Sequence, residues 1–451
     1  MTRPRLSWLA HPQRTLDALR SSARLRRVAW GGLDQALSSL TNFLLAIFVA
    51  RTVGVDDFGA FSIAFATYLV FLSVSRAVAT EPLTIRYSAS SDDQWRRATS
   101  AATGTALVFG IVSAVALVVV GALLGGAVGA ALAVFGVSLV PLLVQDAWRF
   151  AFFANHKGRS AFANDLLWTI ALVPGAILIQ AIGQASTVIW IMVWAAAAAA
   201  GAVFGIWQTR LLPRPELALG WLREHRTLTP RLVAESLVLT GTGYVTVLAI
   251  TVIAGLKAVA AVRAAQVLMN ATNVATFGAQ LFAIPEAVEI GRRSLANLER
   301  FCFLVAGGLL VVALAWGGVL LALPNDVGRA LLGETWDSAA TVILPIALLN
   351  GMQGLRVGPF VGLRALALVH ESLRARTTSS VIQFIGGVVG ARLADAAGAA
   401  WGMMLGAALG GVIWWYELLT ALRRHAGVAD SVAPGADSAG PDGATGGGFG
   451  A

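Results

Sequence analysis

Leu33-Asp34-Gln35-Ala36-Leu37 and, 201 residues further on, Ala234-Glu235-Ser236-Leu237-Val238 each place an acid at the opening of a long apolar segment. The offset carries on: Ser39 falls on Thr240, Thr41 on Thr242 and Gly54 on Gly255. Ala79-Thr80-Glu81-Pro82 then meets Ala283-Ile284-Pro285-Glu286 at nearly the same spacing. A membrane chain that repeats itself at this scale is built from two halves, and such a repeat predicts a binding site between them.

The membrane follows from composition. Of 451 residues, 57% are hydrophobic and 13% charged, against about 25% charged in ordinary soluble domains. Apolar runs of the roughly 20 residues that cross a bilayer recur near 29–50, 59–79, 100–123, 127–148, 161–182, 185–208, 232–254, 258–285, 301–323, 339–360, 377–396 and 398–421. The expected fold is all-α and polytopic, with about twelve helices in two halves. The chain divides into a basic N-terminal arm (1–28), a first six-helix bundle (29–208), a linker (209–231), a second bundle (232–424) and a Gly/Ala-rich tail (425–451) read as disordered.

A formal charge of +9 would suggest nucleic acid in a soluble chain, but here it follows topology. Of the 33 Lys and Arg, 28 fall in the arm, in alternate loops and behind the last span, whereas the other loops hold only Arg51, Lys257, Arg329 and Arg392. The positive-inside rule then puts both termini in the cytoplasm. An even number of helices per half gives both halves one orientation, a parallel repeat about the membrane normal. The arm mixes Leu6, Trp8, Leu9 and Leu16 with arginines; it serves as a topology signal or lies on an anionic membrane face. No signal peptide is expected, because the first apolar segment is full length and Arg51 follows it. Cys302 stands alone, so no intrachain disulfide forms. The 31 Arg against two Lys suggest a high-GC genome and a bacterial plasma membrane.

Polar groups inside a membrane are costly and face a cavity or another helix. The first span carries Asp34, Ser38 and Thr41, with Gln35 and Asn42 beside them; the eighth carries Arg263, Gln266, Asn270, Asn273 and Gln280 at helical spacing. Interhelical hydrogen bonding accounts for such amides and hydroxyls as readily as a cavity does. Arg263 lies deeper and calls for water, an acid or an anionic ligand, unless it snorkels. Asp34 and Glu235 are candidate coupling acids for a proton or sodium ion, or else partners of Arg27 and Arg231 near the cytoplasmic mouth. Gln145, Asp146 and Arg149 end the fourth span, and Arg356 ends the tenth. They make either a phosphate-receiving cytoplasmic end, since guanidinium forks suit phosphate oxygens, or plain positive-inside anchors.

On these residues a resemblance can be stated. Asn42 followed by Ala50-Arg51-Thr52-Val53-Gly54-Val55-Asp56-Asp57-Phe58-Gly59-Ala60-Phe61-Ser62 resembles the first hairpin of the multidrug, oligosaccharidyl-lipid and polysaccharide exporter superfamily. Gln145-Asp146-x-x-Arg149 with Asp165-x-x-Trp168 resembles its polysaccharide flippases. The resemblance runs from Arg27 to Arg424. It implies two six-helix bundles in a V around a central cavity, alternating access, and transfer of a polyprenyl-pyrophosphate-linked oligosaccharide between leaflets. It also implies proton, sodium or potential coupling without other cofactors. Membrane lipids, and a polysaccharide polymerase or glycosyltransferases, are the partners it suggests; nucleic acid is not.

Other classes fit less well. A major-facilitator transporter should carry a Gly-x-x-x-Asp-Arg-x-Gly-Arg-type loop after the second span, and Arg76 to Arg97 holds none. A multidrug cation antiporter of the same superfamily would favour acids over Arg263. A membrane glycosyltransferase or ligase needs paired acids or an exposed base on a large outer loop. The longest such loop, about 324–338, has Asp326, Glu334 and Asp337 but no histidine. A scaffold that has lost transport is a fourth class. No nucleotide-binding Gly-rich loop is present, so ATP is not expected.

Overall fold

The computed structural model describes residues 12–432 except Ala89 and Gln184. α1 (Pro12–Thr52) is followed by α2 (Val55–Ser75), which runs through a π-helical turn (Arg76–Thr80) into α3 (Glu81–Tyr87). Next come α4 (Asp92–Leu124), α5 (Gly126–Ala154), α6 (Gly158–Ile182) and α7 (Thr187–Thr209). A 3-10 turn (Pro215–Leu217) and α8 (Ala218–Glu224) form the linker. The second half holds α9 (Thr229–Met269), α10 (Ala271–Arg293), α11 (Leu295–Leu321), α12 (Asn325–Leu332), α13 (Thr335–Ala340), α14 (Ile343–Leu355), α15 (Val357–Ala365) and α16 (Val369–Val432).

Among the described residues nine helices are long and apolar enough to cross a membrane. Two of them hold two passes each. α9 turns back at Gly255 (φ 81°), where a glycine takes a backbone no side chain favours, so that Ile250 and Val259, and Val247 and Val262, face one cavity. α16 turns at Ala394 and Asp395, which sets Gly386 against Gly402 and Gly390 against Gly398. A Cβ at any of these four would run into the facing backbone, the close approach by which helices associate in lipid. With α10 completing the eighth pass and α14 with α15 forming the tenth, the described residues make twelve passes, six in each half, as the apolar runs predict. The first and last described helices therefore begin and end on one face, here the terminal face; the opposite one is the far face.

The limits of the passes differ from the apolar runs for physical reasons. α1 begins at Pro12, so the basic arm from there on extends the first pass instead of forming a separate element; residues 1–11 lie outside the described ones. α16 continues to Val432 because Leu, Ala and Arg favour helix; the rest of the tail, 433–451, also lies outside.

The first half is packed solid. Phe61, Phe65 and Tyr68 on α2, Phe135 on α5 and Trp194 on α7 interlock, with centroid distances from 5.1 Å for Tyr68–Trp194 to 6.3 Å for Phe65–Phe135. The linker is docked on this half. Buried Trp221 donates its Nε1–H to the Val78 carbonyl at 3.1 Å, inside the π-helical turn, and the Tyr87 hydroxyl donates to Glu224 Oε1 at 2.5 Å. A π-turn leaves carbonyls short of their helical partners, and Trp221 supplies one.

The halves meet at the far face, and α9 also packs against the π-helical turn of the first half. Gly59 lies so close to the Leu256 backbone that a Cβ would overlap it, Gly333 (φ 60°) sits on the Arg51 carbonyl, and Thr335 Oγ1 donates to the Ala50 carbonyl at 3.1 Å. That last bond is the one hydrogen bond between the halves among the described residues.

Candidate translocation site

Three groups of polar residues lie inside the helices. The first is in the first half, towards the terminal face. Arg149 of α5 donates through Nε to Asp34 Oδ2 of α1 at 2.5 Å and through Nη2 to Gln35 Oε1 at 3.2 Å. Asp165 Oδ2 of α6 is 3.4 Å from the same Nε. Gln145 donates to Asp165 Oδ1 at 2.8 Å and to Asn164, whose own amide reaches the Gly201 carbonyl and Gln208. One helical turn away Arg76 donates through Nε to Asp146 Oδ2 at 2.8 Å and through Nη2 to Oδ1 at 2.6 Å, against the Phe150 ring. Asp34 is wholly buried and Asp165 nearly so. Asp34 Oδ1 and Asp165 Oδ2 receive no hydrogen bond from the described protein atoms. Three carboxylates thus share two guanidinium groups. The group therefore holds one carboxylate more than it has guanidinium partners, in surroundings where an uncompensated charge is costly.

The second group lies between the halves. A cavity of about 220 Å³ is walled by α2, both limbs of α9 and the α16 hairpin. Ser62, Tyr244, Gln266 and Gln383 give it polar spots, and Arg263 is its one fixed charge. The Arg263 guanidinium stands 5.1 Å from the centroid of the Phe65 ring. Among the described residues no carboxylate lies within ion-pair distance of it. A cation held by one aromatic face, in a cavity with polar neighbours, is suited to receive an anion.

The third is a cavity of about 270 Å³ within the second half, bounded by α10, α14, α15 and α16, where Arg356, Arg376 and Gln280 converge.

The residues singled out in the sequence distribute across these groups. Asp34 and Gln35 join the first, Arg263 and Gln266 the second. Asn270 and Asn273 bond each other, Nδ2 to Oδ1 at 3.0 Å, at the break between α9 and α10, outside the cavity walls. Asn42 keeps a buried side-chain oxygen without a partner. Glu235 is exposed and makes no ion pair among the described residues, with Arg231 or any other group. Gln145, Asp146, Arg149 and Arg356 do not come together: the first three are held within the acid network, where both guanidinium groups already serve carboxylates, and Arg356 is in the other half. Arg76, grouped in the sequence with loop arginines, lies inside the second pass. Asp165 enters the sequence reading only through the Asp165-x-x-Trp168 pattern, and Arg376 and Gln383 are not among its candidate site residues; for Arg376 the signal is a charge directly before an apolar run.

No family model and no curated protein matches the sequence. Solved structures match over nearly the whole length. With an inward-facing conformation of a multidrug resistance MATE family transporter of the MOP superfamily the TM-score is 0.67 at 14% identity, covering 88% of this chain and 96% of that one. With an outward-facing conformation of such a transporter it is 0.53 at 12% identity, covering 90% and 96%. With a MOP superfamily transporter from Pyrococcus furiosus, described as having a binding pocket of reverse polarity, it is 0.56 at 12% identity, covering 89% and 95%. The fold is that of MOP superfamily transporters, an all-helical membrane architecture of two pseudo-symmetric bundles.

Proposed function

We propose that this chain is an alternating-access transporter of the plasma membrane, with both termini cytoplasmic, that moves a polyprenyl-pyrophosphate-linked oligosaccharide from the inner to the outer leaflet. The observation that carries the substrate class is the Arg263 guanidinium, unpaired in the cavity between the halves. A cavity whose fixed charge is a cation draws in phosphate and repels organic cations. Gln266, Gln383 and Tyr244 offer sugar hydroxyls amide and phenol partners. The Pyrococcus furiosus protein supports reading function from pocket charge, since there a reversed polarity suggested a different function.

The acid network supplies the coupling. With Asp34, Asp165 and Asp146 set against Arg149 and Arg76, uptake of one proton or sodium ion balances the group, and release on the other side would drive the cycle. The glycan precursor implies glycosyltransferases that make it and a polymerase that consumes it.

A second reading, ion-coupled export of a small molecule, is favoured by the apolar share of the cavity wall (Ala66, Leu69, Val247, Ile250, Val259, Val262, Met403) and by the multidrug transporters that share the fold. Vesicles holding the purified protein and a fluorescent polyprenyl-pyrophosphate sugar separate the two. Transfer by the parent, lost in Arg263→Ala and in Asp34→Asn, supports the flippase. No transfer with several glycan carriers under an imposed ion gradient, together with efflux of a drug panel, replaces it by the second reading.

A further inference from the structure

The arginines of the two halves are treated differently. In the first half Arg76 and Arg149 each hold a carboxylate. In the second, Arg374 grips Glu417 with both nitrogens, at 2.9 and 2.6 Å. Arg376, two residues further along the same limb, has no carboxylate within 4 Å among the described residues, and neither has Arg356. Both open into the cavity of about 270 Å³ that lies wholly within the second half. The Gln353 amide and the Ser380 hydroxyl line it too, and neither makes a side-chain hydrogen bond among the described residues. The Trp414 indole forms part of the wall, donating to Ser379 Oγ at 3.2 Å. Arg364 and Arg376 each stand 5.4 Å from the Phe360 ring, so like charges converge on one rim. Guanidinium groups gathered with no carboxylate in ion-pair reach among the described residues, beside amide and hydroxyl groups without side-chain partners, form a receptor for a multiply charged oxyanion.

The position gives this receptor a place in transport. Arg376 is seven residues into α16, about 10 Å from the terminal end of that helix at 1.5 Å per residue. Arg356 reaches Gln383 Oε1 with Nη2 at 3.5 Å, and Gln383 belongs to the wall of the cavity that holds Arg263. Arg376, Arg356 and Gln383 therefore lead from the terminal face to the cavity between the halves.

Resting on the flippase reading, we propose that this pocket is a docking site for the phosphate or pyrophosphate group of the substrate, where Arg356 and Arg376 hold the headgroup before Gln383 and Arg263 take it over. Docking on one half alone lets the charged group bind while the halves are apart, and leaves the glycan to the larger space between them.

The test is binding to the full-length protein in nanodiscs, read from the fluorescence of Trp414, with Trp414→Phe to assign the signal. The probes are inorganic pyrophosphate, a sugar-free polyprenyl pyrophosphate and the neutral polyprenol. Arg356→Gln with Arg376→Gln should weaken binding of both pyrophosphate probes at least tenfold, about what one charge-assisted hydrogen bond supplies. Arg263→Gln should stop leaflet transfer. Ser380→Asp, which gives the arginines a carboxylate without removing them, should abolish docking in a folded protein. Tighter binding of the lipid than of free pyrophosphate identifies a lipid headgroup as the ligand; equal binding identifies the free anion, with the pocket upheld in either case. Unchanged affinity in both the double variant and Ser380→Asp overturns the pocket, whatever the transfer assay shows. Docking by a parent that transfers no glycan lipid leaves the pocket standing and removes the flippase reading. A parent that binds neither pyrophosphate probe overturns the pocket.

Discussion

Arg149 holds two buried acids at once, and its removal would leave Asp34 and Asp165 facing each other with no cation between them. Breaking a buried pair from one side costs about 3–5 kcal/mol. Arg149→Ala should therefore lower the thermal midpoint of the detergent-purified protein markedly, and adding Asp34→Asn should restore part of the loss. If the single variant melts like the parent, the network is not the strut described here. Arg263 is the opposite case. Its partner among the described residues is a phenyl ring, worth roughly 0.5–2 kcal/mol, so Arg263→Gln should leave the melting temperature nearly unchanged while glycan-lipid transfer falls. The contrast explains what sequence could reveal. Arg263 announces itself because it stands inside an apolar run eight residues from Gly255. The pairing of Asp34 with Arg149 does not, since the partners sit 115 residues apart on different helices and no spacing rule spans that distance. The nearer arginine, Arg231 beside Glu235, made a local pair the natural expectation, and the structure shows none among the described residues.

At the level of elements, the twelve passes were legible because each needs its own apolar run, and Gly255 lies where the repeat places it opposite Gly54. The π-helical turn at Arg76–Thr80 was not. Its sequence is ordinary, and the turn holds its shape through contacts from elsewhere, Asp146 on one side and Trp221 on the other. The α16 hairpin gives a direct test of packing. Gly402→Val places a branched side chain against the Gly386 backbone, where nothing flexible can yield. A loss of at least about 1–3 kcal/mol is expected from such overpacking, measured as lower folded yield and earlier unfolding; Gly318→Ala, which meets nothing within 4 Å, is the control.

For the whole molecule, the contacts at Gly59, Gly333 and Thr335 are the ones a change of access must break. Gly59→Leu should prevent the halves from closing at the far face and shift the population towards outward opening. Gln266→Cys in a Cys302→Ala background reports this, since Gln266 lines the cavity. Labelling by a membrane-impermeant thiol reagent added on the far side should speed up about tenfold for each 1.4 kcal/mol of shift. An unchanged labelling rate would show that the closure rests on other contacts. Transfer by the parent should also respond to an imposed proton or sodium gradient, and in Asp34→Asn, where the excess carboxylate is gone, that response should vanish.

The docked linker bears on how far the halves can travel. Trp221 and Glu224 tie α8 to the first half, and α9 begins the second at Thr229, so Arg226, Thr227 and Leu228, folded in turns, are the short tether beyond His225. The four steps from His225 to Thr229, pulled straight, reach only about 14 Å. The halves are bound like the covers of a book whose spine is that tether, and a bulky cargo would have to come and go at the fore-edge.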